Sequence, residues 1–434
     1  MVKTLFGGIQ WAVFLLASSI AAPIAIANVF GMDNGDTALF VQRTIFVLGI
    51  ACLVQVLVGH RMPINEGPAG LWWGIFIVYA GMVGVMYATM EESLQALQSG
   101  LLYSGVLFIV FAYTGLVGKM RKLFTPTITF IYLLLLVLQL SESIIGGLLG
   151  IAGEGDAVDP VVAIGGAAVV IVTFILMGHK TPWINRYSVL LAIAIGWALF
   201  ILLGKADAID NTSGSLLALP ELLVFGPLVW DSGMFVTALF LTFLLVANMM
   251  ASMRVMEVLL KNTFSIEAPD RVKQASVASG INHIFAGLFS AIGPVPISGA
   301  AGFVSATRNP SLKPFIMGGI VVVAISFFPS LMALLAALPA PVAYAVIFAI
   351  FTKMVEMAFV ELAEEADHQQ AYKVSAFGLM IGVGIMFLPP ESMAKLPAVM
   401  AATFSNGLIT GTLAAILIER YFIWKKARKK KEAA

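Results

Sequence analysis

Two short stretches, PINEGPAG at 63–70 and PISGAAG at 296–302, decide how this chain folds. If Glu66 is left out, both read Pro-Ile-[Asn/Ser]-Gly-[Pro/Ala]-Ala-Gly, so each is a near repeat of the other. Both interrupt hydrophobic sequence with residues that break helices, since proline removes a backbone donor and glycine allows close backbone approach. Each stretch is therefore predicted to run extended and then to begin a short helix.

The composition indicates that most of the chain faces lipid. Of its 434 residues, 60% are hydrophobic and 11% are charged, and the mean hydropathy is +0.97. A soluble domain carries about 25% charged residues. Cys52 is the single cysteine, which excludes an intramolecular disulfide and a thiolate metal cluster. The only basic run, at 425–431, is typical of a cytoplasmic membrane flank, so nucleic-acid binding has no support.

Hydropathy and helix-breaking residues predict about fourteen membrane spans. The first seven are expected near 5–30, 41–59, 63–88, 95–118, 124–150, 158–178 and 184–204. The second seven are expected near 232–260, 272–293, 294–310, 313–337, 340–360, 372–388 and 396–422. An even number of spans places both termini on one side of the membrane. The loops predicted on that side carry most of the Lys and Arg residues, so both termini are expected in the cytoplasm.

The longest predicted loop joins the two halves of the chain. Within it, LLALPELL at 216–223 predicts a short helix lying at the membrane surface. Asn211-Thr212-Ser213 fits the glycosylation pattern, but a three-residue match is too short to be specific.

The position of the two broken stretches predicts a binding site. Because seven spans are an odd number, the second half enters the membrane in the opposite sense to the first. Each stretch then falls in the third span of its half, and such paired interruptions mark the site of inverted-repeat transporters. Unpaired backbone groups are too costly in hydrocarbon, so an extended backbone requires a polar, protein-lined hollow. Helix starts in that hollow offer N–H groups to a ligand, whereas simple helix kinks or glycine contacts are the structural alternative.

Four segments carry a family resemblance that covers nearly the whole chain. They are GIQW at 8–11 in the first span, FTPTIT at 124–129, GAAGFVSATR at 299–308 and PAPV at 339–342. With them the chain resembles the nucleobase–ascorbate transporter family, which includes uracil and xanthine permeases. The family signature in span ten is [Gln/Glu/Pro]-Asn-x-Gly-x4-Thr-[Arg/Lys/Gly]. Gly302, Thr307 and Arg308 match it, but Gly299 and Ala300 replace its first two polar residues.

The resemblance implies an all-α membrane protein of two seven-span repeats with short strands in spans three and ten. A core domain would comprise 1–118 and 232–338, and a gate domain 119–231 and 339–424, followed by a basic cytoplasmic tail at 425–434. The substrate would bind between the two strands, and a homodimer would form through the gate. The resemblance implies no cofactor and no metal.

Asn248 and Ser252 are candidate ligands in span eight. They stand where uracil permeases of the family carry a glutamate and, four residues later, a histidine. An amide both donates and accepts, which suits a ring edge carrying N–H and C=O groups. The structural alternatives are a helix–helix hydrogen bond for Asn248 and a bond to its own helix for Ser252.

Glu66 is the most informative acid, because carboxylates inside a membrane are costly and usually functional. It is a candidate to replace the carboxylate missing at Gly299, either by binding substrate N–H groups or by carrying a coupling proton. The alternative is an ion pair with Arg61 at the cytoplasmic edge.

Several further residues are candidates for smaller roles. The resemblance places Ser18 beside the substrate, and the helix starts point to backbone N–H groups of Ala69, Gly70, Gly299 and Ala300. Nearby aromatic side chains are candidates for ring stacking, namely Trp72, Trp73 and Phe303. The remaining conspicuous side chains are read mainly as structural: Glu142, His283, the Lys353–Glu356 pair, and the methionines 249, 250 and 253. Arg254 ends span eight or is a buried cation.

The sequence therefore predicts a secondary transporter of the cytoplasmic membrane that carries a nucleobase, with proton coupling as the family expectation. Motifs of ATPases, zinc proteases and serine hydrolases are missing, so no enzymatic activity is expected. The alternatives are a transporter of a small anion or carboxylate on the same fold, and a membrane scaffold or sensor that transports nothing.

Overall fold

The computed structural model describes residues 2–120, 123–151, 157–206 and 215–432. The predicted glycosylation pattern at 211–213 lies outside these residues. The first-half elements are helices α1 Val2–Ser19, α2 Ala21–Val29 and α3 Asn34–Leu57, strand β1 Glu66–Pro68, and helices α4 Gly70–Gly81, α5 Met90–Tyr113, α6 Leu116–Met120, α7 Pro126–Leu148, α8 Pro160–Met177, α9 Pro182–Arg186 and α10 Ser188–Leu202.

The second half repeats this pattern, with a strand again standing before a short helix. Its elements are α11 Ser232–Phe264, α12 Val272–Leu288, strand β2 Pro294–Pro296, α13 Gly299–Thr307, α14 Leu312–Ser326, α15 Pro329–Ala336, α16 Ala340–Ala363, α17 His368–Met386, a 3-10 turn Pro390–Met393, α18 Ala398–Phe404 and α19 Gly407–Glu432.

Eight helices in the described ranges are long and apolar enough to cross a bilayer, and the bent pair α14–α15 makes nine. The prediction of about fourteen spans therefore also depends on five weaker segments. Two of these consist of a strand and a short helix, β1–α4 and β2–α13, and the other three are α10, α12 and α17. The two composite segments are too short to cross as a single helix, since a span needs about 20 residues.

Two predicted spans are broken helices. The span expected at 313–337 bends by 92° between α14 and α15. Pro329 begins α15, and a residue that precedes proline is pushed out of helical geometry. The span expected at 396–422 is divided at Asn406, whose side chain accepts a hydrogen bond from the Ile409 amide at 3.0 Å and so caps α19.

The helices pack as two sets. In the first set, α1 packs on α14, α3 on α14 and α15, and α5 on α12 and α11. In the second set, α7 packs on α16, α17 and α19, while α8 packs on α10 and α16. Contacts between the sets run mainly through α2 with α16 and α11 with α18. Each set combines helices from both halves of the chain.

The segment 215–231 corrects two expectations, because it is not helical and it binds the first set rather than the second. Its backbone bonds the ends of other elements: the Ala218 amide donates to Phe327 O at 2.9 Å, and the Leu223 amide to Leu288 O at 2.8 Å. A helix over 216–223 would have used the Leu223 amide internally, and Pro220 supplies no amide. Its exposed apolar side chains include Leu216 and Leu219, at 79% and 78% exposure.

Glycines set the closest helix contact in the first set. A Cβ added at Gly105 of α5 would lie 2.8 Å from the Gly280 carbonyl of α12, and one at Gly280 would lie 2.7 Å from the Gly105 carbonyl. Small residues of this kind let membrane helices approach at backbone distance. α12 is thereby held close against α5.

We expect Gly105→Ala to lower the thermal stability of the purified protein by about 1–3 kcal/mol, because the new methyl group meets backbone that cannot yield. Gly384→Ala on α17 is the matched control, since nothing lies within 4 Å of its Cβ position. The control should be neutral or slightly stabilising. Equal melting temperatures of the two variants in detergent would contradict the packing described.

Candidate functional site

The two broken stretches meet as an antiparallel strand pair at the centre of the first set. Glu66 lies opposite Pro296, Gly67 opposite Val295 and Pro68 opposite Pro294. The bonds that close the pair are Ile297 N–H to Asn65 O and Ala69 N–H to Gly293 O, both at 2.9 Å. Prolines occupy positions whose amides would not face the partner strand, so the ladder loses nothing by them.

A short helix begins directly after each strand. α4 follows Ala69 and α13 follows Ser298, and neither residue caps its helix with a side chain. Two of the expected N–H donors already have partners. The Ala69 amide donates to Gly293 O, just before β2, and the Ala300 amide donates to Ile297 O at 3.2 Å. Gly70 stays a candidate donor, and so does Gly299, which is exposed.

Asn248 and Ser252 converge on one backbone atom. Ser252 Oγ donates to the Pro296 carbonyl at 2.7 Å, and Asn248 Nδ2 donates to the same carbonyl at 3.4 Å. They lie one turn apart on α11, on one helix face. Both predicted ligands therefore hold the outer edge of β2. Asn248 is half-buried and keeps its carbonyl oxygen for another partner.

Ser18 meets Asn65, a residue that sequence reasoning had not selected. Asn65 Nδ2 donates to Ser18 Oγ at 3.4 Å, and Ser18 Oγ donates to Leu15 O at 3.1 Å. Asn65 is fully buried, and its Oδ1 has no hydrogen-bond partner. The signal that could have identified Asn65 is its position inside the motif at 63–70.

Glu66 is buried without a partner. Its residue exposure is 1%, and neither carboxylate oxygen accepts a hydrogen bond. The expected alternative of an ion pair with Arg61 is wrong, because Arg61 is exposed and its Nε donates to Leu57 O at 3.1 Å. The backbone of Glu66 contacts Cys52 of α3, with N–H to Sγ at 3.2 Å. A buried carboxylate left unpaired is expensive, so it calls for a functional explanation.

The three aromatic candidates pack against protein. The ring of Trp72 lies 6.1 Å from that of His283, and the ring of Trp73 lies 5.7 Å from that of Phe351 of the second set. Phe303 packs on Trp11 at 4.4 Å. Trp73 therefore stands where the two helix sets meet, while the other two rings fill the interior of the first set.

Most of the residues predicted to be structural make structural contacts or lie on the surface. The Lys353–Glu356 pair is confirmed at 2.5 Å, Arg254 pairs with Glu257 at 3.6 Å, and Glu142 is exposed on α7. The span-eight methionines 249 and 253 are buried. His283 is buried as well, with Nδ1 2.9 Å from Ser279 O and Nε2 without a partner.

Space near the strand pair is limited. The strand residues themselves are mostly buried, and open surface begins at Gly299 and Gly302, where nothing lies within 4 Å of a Cβ at Gly302. An apolar cavity of about 130 Å³ lies between the two sets, lined by Phe240, Phe243 and Leu244 of α11, by residues 123–124 and by α19. None of the residues that line this cavity belongs to the strand pair.

The side chains and helix starts around the strand pair offer hydrogen bonds. In the described part of the chain, no group of three or more His, Cys, Asp or Glu is placed to hold a metal ion. The site instead combines neutral amides, a hydroxyl, two helix starts and one carboxyl group. Such a set suits a small polar solute that presents donors and acceptors along one edge.

Comparisons with known proteins agree with one another. Residues 2–391 match the model Xan_ur_permease, described as a permease family. The chain is 42% identical over 431 residues to the "Putative purine permease YwdJ" of Bacillus subtilis, covering 98% of this chain and 97% of that protein. It is 23% identical to the uric acid permease PucK of the same organism, over 96% and 95% of the two chains.

A solved structure shares the fold. The transmembrane domain of the cyanobacterial bicarbonate transporter BicA superposes with a TM-score of 0.65 at 15% identity, covering 95% of this chain and 96% of that one. The chain therefore has a fold like that of BicA, which is of the 7+7 repeat type. At this identity the likeness concerns the fold alone.

The shared carbonyl of Pro296 gives a test of the geometry. We expect Ser252→Ala to lower stability by about 0.5–1.5 kcal/mol through its lost hydrogen bond, and Asn248→Ala to lower it less, because its bond is longer. Since both bonds end on one acceptor, the double variant should be non-additive by at least about 0.5 kcal/mol. Thermal unfolding of the four proteins measures this coupling, and strict additivity would show that the two side chains act independently.

Proposed function

This chain belongs to the xanthine/uracil permease family, and from that premise we propose that it is a secondary transporter of a purine nucleobase. The family consists of transporters, so the chain is a permease and not an enzyme. The observation that carries the purine assignment is the match along nearly the full length to a protein named as a purine permease. The name of PucK, a uric acid permease, supports the same class of solute.

The substrate is proposed to bind against the face of the strand pair that carries Asn65. A purine edge presents N–H groups, and Asn65 Oδ1 is a buried acceptor that lacks a donor. An unpaired buried acceptor costs about 1–3 kcal/mol, which a ligand N–H would offset. Asn248 Oδ1 and the N–H groups at Gly70 and Gly299 would complete the set of ring-edge partners. Ser18 would orient Asn65.

Transport is proposed to proceed by movement of the first helix set against the second. The first set corresponds to the core domain, with 215–231 added to it, and the second to the gate domain. The apolar cavity of about 130 Å³ between α11 and α19 supports a separable boundary there. Trp73 faces Phe351 across that boundary, so its ring is placed to cover the site.

Coupling to protons is proposed to use Glu66. The carboxylates expected in spans eight and ten are replaced by Asn248 and Gly299, which leaves Glu66 as the acid at the strand pair. We further propose insertion into the cytoplasmic membrane with both termini in the cytoplasm, and a homodimer formed through the gate. The basic segment 425–431 supports the orientation.

A small anion is the second candidate substrate, because the two helix starts lack side-chain caps and their dipoles favour negative charge. Tryptophan-fluorescence titration of the purified protein with xanthine, uracil, bicarbonate and chloride separates the candidates. Trp73 stands at the boundary of the sets and is the expected reporter. Saturation by an anion together with no response to any base would overturn the purine proposal.

For the purine site, we expect Asn65→Ala to weaken xanthine binding tenfold to a hundredfold, the equivalent of about 1–3 kcal/mol. Asn406→Ala is the matched control, since Asn406 is also fully buried and also has one unpaired polar atom, but caps a helix of the second set. The control should lose stability and keep its affinity. Equal affinity in both variants would remove Asn65 from the site.

For the coupling, we expect Glu66→Gln to abolish the stimulation of uptake by an inward proton gradient in proteoliposomes. Exchange of labelled for unlabelled xanthine at equal pH should continue, because glutamine resembles the neutral carboxyl group in shape and remains uncharged. Uptake that still follows the proton gradient in the variant would show that another group carries the proton.

A further inference from the structure

Asn65 and Glu66 belong to opposite faces of the strand pair. Successive side chains of a strand point to alternate faces. Asn65 meets Ser18 of α1, and a Cβ at Gly67 would lie 3.9 Å from Asn65 Nδ2, so 65 and 67 share a face. Glu66 therefore points away from the face proposed to bind substrate. A proton on Glu66 and a base on Asn65 would be separated by the thickness of the strand pair.

α3 lies along the outer edge of β1 at Glu66, and α12 lies beside α3 and β2. Cys52 of α3 contacts the backbone of Glu66, with Sγ 3.2 Å from its amide nitrogen. Asn282 of α12 donates from Nδ2 to Ala51 O at 3.4 Å, directly beside Cys52. α12 also packs against β2. Asn282 and the backbone of Glu66 therefore contact neighbouring residues of α3, Ala51 and Cys52.

Two buried polar atoms of α12 lack hydrogen-bond partners, and both are acceptors. Asn282 is 1% exposed, and because its amide nitrogen donates to Ala51, the unpaired Oδ1 is an acceptor. In His283, Nδ1 faces the Ser279 carbonyl, which can only accept, so Nδ1 carries the hydrogen. The unpaired Nε2 of His283 is then an acceptor as well. The Trp72 ring, whose Nε1 is an unpaired donor, lies beside His283, so Asn282 Oδ1 is the acceptor that still needs a donor.

An ionised Glu66 cannot donate to Asn282 Oδ1, because a carboxylate only accepts hydrogen bonds. The neutral acid can, since its single O–H group is a donor. Resting on the proposed function, we propose that Glu66 holds the coupled proton in a compartment behind the strand pair, where Asn282 Oδ1 accepts the hydrogen bond of the neutral carboxyl group. On loading, one proton adds to a carboxylate oxygen; on release, that O–H bond breaks and the proton leaves to water.

The other titratable groups near this compartment are few. Cys52 faces it from α3, and His283 is the titratable group adjoining Asn282 on α12. β2 contains only Pro294, Val295 and Pro296, and α1 carries its single charged residue, Lys3, at its far end. His60, just before β1, is also buried, with Nδ1 accepting from the Met62 amide at 3.0 Å. Glu66 is thus the acid of this compartment, and Asn282 is a positioning residue for it.

The test compares Asn282→Ala with the control Ser276→Ala, which removes a similar side-chain bond of α12, from Ser276 Oγ to Phe108 O at 3.0 Å. Both are reconstituted in proteoliposomes and assayed for xanthine exchange at equal pH and for uptake driven by a proton gradient. Asn282→Ala should keep exchange but shift half-maximal uptake to a pH lower by about one unit, because the neutral acid has lost its acceptor. Asn282→Gln should recover part of the shift, and Ser276→Ala should match the unmodified protein.

A second measurement does not depend on transport. Infrared difference spectra of the purified protein recorded across pH should show a protonated-carboxyl C=O band that disappears in Glu66→Gln and changes frequency in Asn282→Ala. If the band is present and altered in this way while xanthine is neither bound nor exchanged, the proposed substrate fails and the proton site stands. A pH profile and a carboxyl band that are both unchanged in Asn282→Ala would overturn the inference, and so would uptake driven by a sodium gradient at constant pH.

Discussion

The pairing of β1 with β2 is the interaction on which the rest of this structure depends. Extended backbone inside a membrane protein must find hydrogen-bond partners, because each unsatisfied group costs several kcal/mol in hydrocarbon. Each strand supplies partners to the other, and the remaining edges bind helices: Cys52 meets Glu66, and Ser252 meets Pro296. The two halves of the chain can pair in this way because they bring equivalent breaks to one place. Two helices can then begin in the middle of the molecule.

The candidate residues fall into two groups, those that fix the strands and those with unpaired polar atoms. Asn248 and Ser252, the two candidate ligands on α11, hold the carbonyl of Pro296 and so fix β2. Some of the buried polar atoms without partners lie on and beside the strands, at Asn65, Glu66, Asn282 and His283, and others lie in the second set, at Ser405 and Asn406. Buried polar groups are normally satisfied, so each unpaired one calls for an explanation. The proposed solute and the proposed proton would satisfy Asn65 and Asn282.

The close packing behind the strands makes such a division physically reasonable. Gly105 and Gly280 bring α5 and α12 to backbone contact, and the Trp72 ring fills the space beside His283. The boundary with the second helix set contains an apolar cavity of about 130 Å³. The proposed movement of one set against the other would take place at this boundary.

Much of this architecture was determined by sequence alone. The low charge content indicates lipid contact, and the repeated Pro/Gly breaks predict two extended segments, because proline lacks a backbone donor and glycine is a poor helix former. Helix starts after Ala69 and Ser298 follow from the same local chemistry. Local sequence also placed Asn248 and Ser252 on one face of a helix.

Tertiary structure alone decided what those side chains touch. Asn248 and Ser252 both bond Pro296, and 215–231 packs on the first helix set; these contacts join residues distant in sequence. The burial of Glu66 away from Arg61 likewise depends on the folded surroundings. Asn65 and Asn282 were missed because an asparagine is ordinary in sequence and becomes conspicuous only when its carbonyl is buried without a donor. Sequence periodicity specifies which face a residue occupies, but the partner on that face is set by the packing of other elements.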